Sequence, residues 1–248
     1  MSNRASYHEG FAPRDGRPLY PSLWEGCDGA WSPHLGSTGL SLRDWSGRGR
    51  HGTLTDMTAD DWVVSGGKYA LDFDGSNDYV SVPSAAGSVF SKEQFSFSGW
   101  VFVRANVLYG SMISKDQNPP YAFSFRDASG GGLWEVVANG TRIVIDPAVI
   151  TLSRWTHFAV TRTTSGSELF RDGKSVATGT AGTITANADL VYFGTDYGPG
   201  TGRHLNGHLD DIRVYDRVLS VADIRLLASG RGVAYELAPR KAYSLPST

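Results

Sequence analysis

The chain has 248 residues, with 23 basic against 25 acidic side chains and a formal charge of −2. No global field steers it to nucleic acid or to an anionic membrane, and no run of about 18 apolar residues offers a transmembrane helix. One cysteine, Cys27, excludes an intrachain disulfide and reads as a small buried side chain.

Residues 1–23 read as an extended arm, because prolines at 13, 18 and 21 with Gly10 and Gly16 break every periodic pattern. No apolar stretch follows the opening residues, so no secretory signal is expected. Residues 24–69 hold Trp24, Trp31, Trp45 and Trp62 among turns. A stretch so aromatic is expected to pack on a larger body rather than fold alone. Within it, Arg48-Gly-Arg-His51 reads as a solvated basic loop. From Tyr69 the pattern is of strands. Ala70–Val82 alternates around the turn Asp74-Gly-Ser-Asn-Asp78. Gln94–Arg104 puts Phe95, Phe97 and Gly99 on one face and Ser96, Ser98 and Trp100 on the other. Its Trp-Val-Phe-Val end reads as buried on both sides. Strands are then expected at 109–114, 121–126, 133–138 and 141–145, the last two joined by Asn139-Gly140, a two-residue hairpin signal. Strands at 155–162, 168–171, 174–178, 190–194 and 208–215 follow, with Asp172-Gly173 as a second hairpin turn. One helix is expected, Ser220–Ser229, with Ser220 as N-cap, Asp223 in the capping-box position and Gly230 as the C′ residue. Many short strands separated by turns predict an all-β, two-sheet antiparallel sandwich with one short C-terminal helix. The expected division is an arm over 1–23, one domain over 24–230 and a tail over 231–248. The expected core is Leu71, Phe73, Phe97, Trp100, Phe102, Trp155, Phe158, Ile212 and Val214.

Six segments, in order, resemble the laminin-G-like domains of the concanavalin A-like lectin/glucanase superfamily. Asp44-Trp-Ser-Gly-Arg-Gly-Arg-His-Gly-Thr53 is similar to that family's opening turn and Leu71–Val80 to its first inner strand. Phe95-Ser-Phe-Ser-Gly-Trp-Val101, Trp155-Thr-His-Phe-Ala-Val-Thr161 and Leu169-Phe-Arg-Asp-Gly173 resemble its central strands and hairpin. Leu209–Ser220 resembles its closing strand. The resemblance covers residues 40–229 and implies a concanavalin A-like jelly roll. Such domains often bind glycans or proteins, and many hold calcium. It therefore implies a non-enzymatic recognition module for a carbohydrate or a protein surface. A lectin-like fold without an export signal also raises a structural or decoration role on a larger particle such as a phage virion. The arm and tail, with Tyr7, Phe11, Tyr20, Tyr235 and Tyr243, are then candidates for self-association or for contact with neighbouring subunits. Neither nucleic acid nor membrane insertion is expected.

Calcium takes six to eight oxygens, and Asp74, Asn77 and Asp78 offer several in one turn, with Asp210 as a further ligand from the closing strand. The same residues also suit a plain β-turn. Adjacent Asp210 and Asp211 should point to opposite faces of a strand. The alternative function is a glycoside hydrolase or polysaccharide lyase of the same fold. Glycosidases need two carboxylates across the scissile bond. The six glutamates, at 9, 25, 93, 135, 168 and 236, do not form the Glu-x-Asp-x-x-Glu motif of the glucanases. No nucleophile motif or zinc-binding histidine pair occurs either, so no catalytic residue is assigned and no enzyme is expected. His157 reads as a hydrogen-bonded sheet histidine. Glycan binding calls for aromatic and polar groups on exposed loops. The candidates are Tyr121, Arg126, Asp196, Tyr197 and Arg203.

Overall fold

A computed structural model describes residues 18–84, 92–115, 123–184, 189–196 and 202–236. In chain order the strands are β1 (Cys27–Trp31), β2 (Ser41–Leu42), β3 (Gly52–Thr55), β4 (Trp62–Ser65), β5 (Lys68–Asp74), β6 (Tyr79–Val82), β7 (Phe95–Ala105), β8 (Ser111–Lys115), β9 (Phe123–Asp127), β10 (Trp134–Ala138), β11 (Thr141–Ile145), β12 (Trp155–Arg162), β13 (Ser167–Arg171), β14 (Lys174–Gly179), β15 (Val191–Phe193) and β16 (Asn206–Tyr215). Helix α1 (Val221–Leu227) follows. They form two antiparallel sheets. The first runs β14-β13-β12-β7-β16-β5-β4, with β1 also paired to β16; the second runs β11-β10-β9-β8-β15-β6-β3-β2. This is the two-sheet sandwich expected from the strand pattern. The tryptophan-rich stretch contributes β1 to β4, so it is woven into both sheets.

The turn at Asp44 shows why its residues are needed. The Asp44 carboxylate accepts hydrogen bonds from the backbone of Ala30, Ser46 and Arg50 at 2.8–3.1 Å, and the Asp44 amide donates to His51 Nδ1 at 3.0 Å. One side chain closes the whole loop. Arg50, expected to be solvated, donates from Nη1 to the Asp28 carbonyl at 3.0 Å. At the opposite flank the sheets meet where Thr180 N donates to Ile143 O at 3.0 Å. A Cβ on Gly179 would lie 1.8 Å from that same oxygen, so only glycine allows the approach.

Leu71, Phe73, Phe97, Phe158, Ile212 and Val214 lie between the sheets as expected. Trp100, Phe102 and Trp155 do not: they are half-buried on the outer face of the first sheet. Period-two alternation explains the correction. Phe95, Phe97, Val101 and Val103 take the inner side, so Trp100 and Phe102 share the outer side with Ser96 and Ser98. Phe125 and Trp134 of the second sheet meet Phe158 of the first at ring-centroid distances of 5.0 and 5.6 Å. These rings bridge the layers at the centre of the core.

A smaller apolar layer covers part of the first sheet's outer face. Ala159, Phe170 and Tyr215 from the sheet pack against Leu23, Leu219, Ile224, Leu227, Val233 and Ala234. The chain therefore joins the domain before residue 24 and leaves it after residue 230. Leu23 and Ala234 are fully buried, and Leu19 N donates to Glu236 O at 2.8 Å. The remainder of the expected arm and tail, 1–17 and 237–248, lies outside the described residues. Helix α1 carries the expected capping box, with Asp223 N donating to Ser220 Oγ at 3.1 Å. It stops at Leu227, one residue earlier than expected, and Ala228 rather than Ser229 caps it.

The closing strand departs from simple alternation at Asp211, whose φ is +49°, with a register shift between Asp210 and Arg213. This bulge turns both Asp210 and Asp211 outward. Both then meet the segment Arg231-Gly232: Asp211 Oδ2 accepts from Gly232 N at 3.0 Å, and Arg231 Nη1 lies 3.5 Å from Asp210 Oδ2. The expectation of opposite faces fails because the extra residue breaks the period.

His157 is the hydrogen-bonded sheet histidine expected, with Nε2 2.8 Å from Ser98 Oγ and no exposed surface. Burial holds its ring down at about 4, against the pull of Asp211 and Asp172. Its folded-state value is depressed, so the stability it contributes is present above about 6.5 and is lost as pH falls through about 4. The loss should reach roughly 3 kcal/mol at acid pH. Burial, reinforced by the charges of Asp74, Asp61 and Asp72, pushes Asp78 up to about 6, which acts in the opposite direction over the same window. The test is therefore a difference: urea unfolding of wild type against His157→Gln from pH 7 to pH 4. The variant should lack the histidine's share of the acid loss. Parallel pH curves would rule this account out.

Candidate functional site

Three of the expected ligand residues come together on the outer face of the second sheet. Arg126 of β9 stands opposite Glu135 of β10 in the strand register. Alternation sends Phe125 and Trp134 into the core and this pair outward. Arg126 Nε donates to Glu135 Oε1 at 3.0 Å, and its Nη1 donates to Asp196 Oδ2 at 2.6 Å. Ser124 Oγ donates to the other Asp196 oxygen at 2.7 Å. Arg203 Nη1 lies 3.6 Å from Asp196, and Asp196 N donates to Arg203 O at 3.2 Å. Arg142 of β11 donates to the second Glu135 oxygen. The guanidinium carbons of Arg126 and Arg203 lie 4.4 and 4.5 Å from the Tyr109 ring centroid. Tyr109 itself adopts a left-handed φ of +62°.

The charges are layered. Glu135 and Asp196 side chains are 3% and 0% exposed, Arg126 is 11%, and Arg203 and Arg142 reach 31% and 54%. The acids form the floor and two guanidiniums form the rim. Burial pushes the Asp196 carboxyl above its usual range, against the opposing pull of Arg126. Tyr121 and Tyr197 lie outside the described residues. Glu135 and Arg142 were not singled out in the sequence, although a charged residue between Trp134 and Val136 was the available signal.

The expected calcium ligands do not converge. Asp74 Oδ1 accepts from Ser76 N and Asn77 N at 2.7 and 3.3 Å, and Asp78 Oδ2 accepts from Asp74 N at 2.9 Å, so these carboxylates organise their own turn. Asn206 is the residue of β16 opposite Asp74. Asp210 lies four residues further, about 13 Å along the strand, where it accepts from Ser32 Oγ at 2.9 Å. Among the described residues no group of three or more His, Cys, Asp or Glu side chains is arranged to hold a metal ion.

Ser32, His34 and Asp210 do form a close serine–histidine–aspartate group. A catalytic relay needs the serine on one ring nitrogen and the aspartate on the other. Here Ser32 Oγ and Asp210 both approach His34 Nδ1, Asp210 at 3.8 Å, and Ser32 is buried. The group fastens the first sheet to the segment at Arg231.

The model of the Laminin_G_3 family, described as concanavalin A-like lectin/glucanases superfamily, matches residues 74–225. No curated protein matches the sequence significantly. Among solved structures, domain 4 of AbnA, a GH43 extracellular arabinanase from Geobacillus stearothermophilus in complex with arabinotriose, is similar with a TM-score of 0.63 and 18% identity, over 82% of this chain and 98% of that one. The binding domain of Paraclostridial Mosquitocidal Protein 1 gives 0.64 and 16%, over 83% and 52%. Trypanosoma rangeli sialidase gives 0.61 and 15%, over 82% of this chain but 33% of the enzyme. At these identities the likeness shows the fold, and the family match covers most of the chain. The chain belongs to the Laminin_G_3 family of the concanavalin A-like lectin/glucanase superfamily.

Proposed function

We propose that this domain is a non-catalytic recognition module that binds a glycan bearing anionic groups at the Arg126–Asp196–Arg203 cluster. The observation that carries the reading is the layering of charge. Buried acids orient the guanidiniums while Arg203 and Arg142 present their charge at the surface, as charge-assisted recognition of carboxylate or sulfate requires. The Tyr109 ring already engages two guanidiniums, so recognition rests on charge more than on stacking. Glu135 and Asp196 are both paired to Arg126, which supports a binding role over an acid–base pair. The arabinotriose complex of domain 4 of AbnA, and the binding domain of the mosquitocidal protein, fit a module of this kind.

Calorimetric titration with an oligogalacturonate, a sulfated oligosaccharide and neutral arabinotriose tests the reading. An anionic ligand should bind and weaken with added salt. Arg203→Ala with Arg142→Ala should reduce its affinity by at least about tenfold. Absence of binding to all three, or affinity unchanged in the double variant, would sink the proposal.

The placement of the segments at Leu19 and Glu236 favours an added role as a module displayed on a larger particle such as a virion. They meet on the outer face of the first sheet, and the arginine cluster lies on the outer face of the second. A domain held through these segments would turn the cluster outward.

A further inference from the structure

A small cavity lies under the turn that carries Tyr109. It has a volume of about 10 Å³, and its walls include Val103, Asn106, Val107, Gly110, Asp127 and Trp134. Two of these wall residues carry polar atoms of complementary character, the indole N–H of Trp134 and Asn106 Oδ1, that are buried with no hydrogen-bond partner. Trp134 is 2% exposed. Its ring stacks on Phe158 at 22° and packs on Phe125, so it has no room to turn toward another acceptor. Asp127, the nearest carboxylate in the wall, is committed to its own loop. It accepts from Ser129 N and Gly130 N at one oxygen and from Gly132 N at the other, at 3.0–3.1 Å.

We propose that this cavity is a binding site for a single water molecule, which accepts from Trp134 Nε1 and donates to Asn106, and that Trp134 thereby acts as a positioning residue for Tyr109. The size is that of one water, and a buried water requires at least two polar partners. Water donates and accepts, so either orientation of the Asn106 amide completes the bridge. The same walls belong to the turn. Tyr109 N donates to Asp127 O at 3.0 Å, and Gly110 N donates to Val107 O at 2.7 Å. Tyr109 holds a left-handed backbone that costs free energy in a non-glycine residue, so the turn must be fastened by its surroundings. The water ties Asn106, the residue before this turn, to the rigid centre of the core. The water site itself does not depend on the glycan reading.

The full-length chain labelled with ¹⁵N at tryptophan provides the test, with the Trp134 indole signal assigned by its loss in Trp134→Phe. A cross-relaxation peak between this indole proton and a long-lived water is expected. Trp134→Phe keeps an aromatic ring, though a smaller one, and removes the donor; Asn106→Leu removes the other partner and fills the space. Each should lower hydrogen-exchange protection of the Tyr109 and Gly110 amides by about tenfold, the scale of one hydrogen bond. Val136 and Phe158 in the core strands should keep theirs, and Asn106→Asp should restore the turn. No water peak in the wild type, or unchanged Gly110 protection in Asn106→Leu, overturns the proposal even if Trp134→Phe does not fold. Loss of protection across the whole core would equally overturn the positioning role.

Discussion

Asp211→Ala is expected to lower folding stability by about 3–5 kcal/mol, the cost of leaving one member of a buried ion pair alone. Arg213 and Asp211 have side chains 0% and 1% exposed, and Arg213 Nε donates to Asp211 Oδ1 at 2.8 Å. The guanidinium is enclosed by Trp24 and Tyr235, 4.6 and 4.5 Å from their ring centroids. No solvent replaces the lost carboxylate there, and Gly232 N also loses its acceptor. The left-handed backbone at 211 adds to the penalty, because aspartate and asparagine tolerate it better than alanine. Asp211→Asn should therefore lose less. Pairing Asp211→Asn with Arg213→Met should recover part of the loss, since an apolar side chain of similar volume avoids the isolated charge. Urea unfolding of the three variants measures this. A loss below about 1 kcal/mol in Asp211→Ala would mean that Arg213 finds other compensation.

Phe125→Ala should cost about 3–5 kcal/mol by opening a cavity in the central ring cluster. Phe125 is fully buried and contacts rings from both sheets, Phe97 at 5.8 Å, Trp134 at 5.0 Å and Phe158 at 5.0 Å. Close packing prevents the neighbours from filling the space. Trp100→Ala should cost clearly less, although the residue is larger. Its ring lies on the outer face against His157, with its indole N–H 3.3 Å from Leu227 O. Thermal or urea unfolding of the two variants distinguishes the inner face from the outer. Equal losses would contradict the assignment of faces.

The sandwich was legible in the sequence because alternation and turn chemistry are local properties. The Asn139-Gly140 and Asp172-Gly173 turns have the left-handed backbone that their residues favour. Trp100 was misplaced because an aromatic residue signals burial but not which layer covers it. That layer comes from residues 18–24 and 219–235, remote in sequence and without strand periodicity. The bulge at Asp211 was hidden for a similar reason: two aspartates in a row do not announce an extra residue. In the arginine cluster, Arg126, Asp196 and Arg203 stand out in the sequence as polar groups near loop tips. Glu135 was missed because its role depends on cross-strand register, which appears only once β9 and β10 are paired.

The bond between Leu19 N and Glu236 O has a mechanical consequence. Among the described residues, tension applied between Leu19 and Glu236 would load that contact first, then peel the segments that carry them from the sheet one interaction at a time. The sixteen described strands would bear little of the force until this layer had opened. Toward a pull from its own ends the domain is a zipper. Toward a load carried through the face of the arginine cluster, with Leu19 and Glu236 held together, it is a block whose strands resist as one.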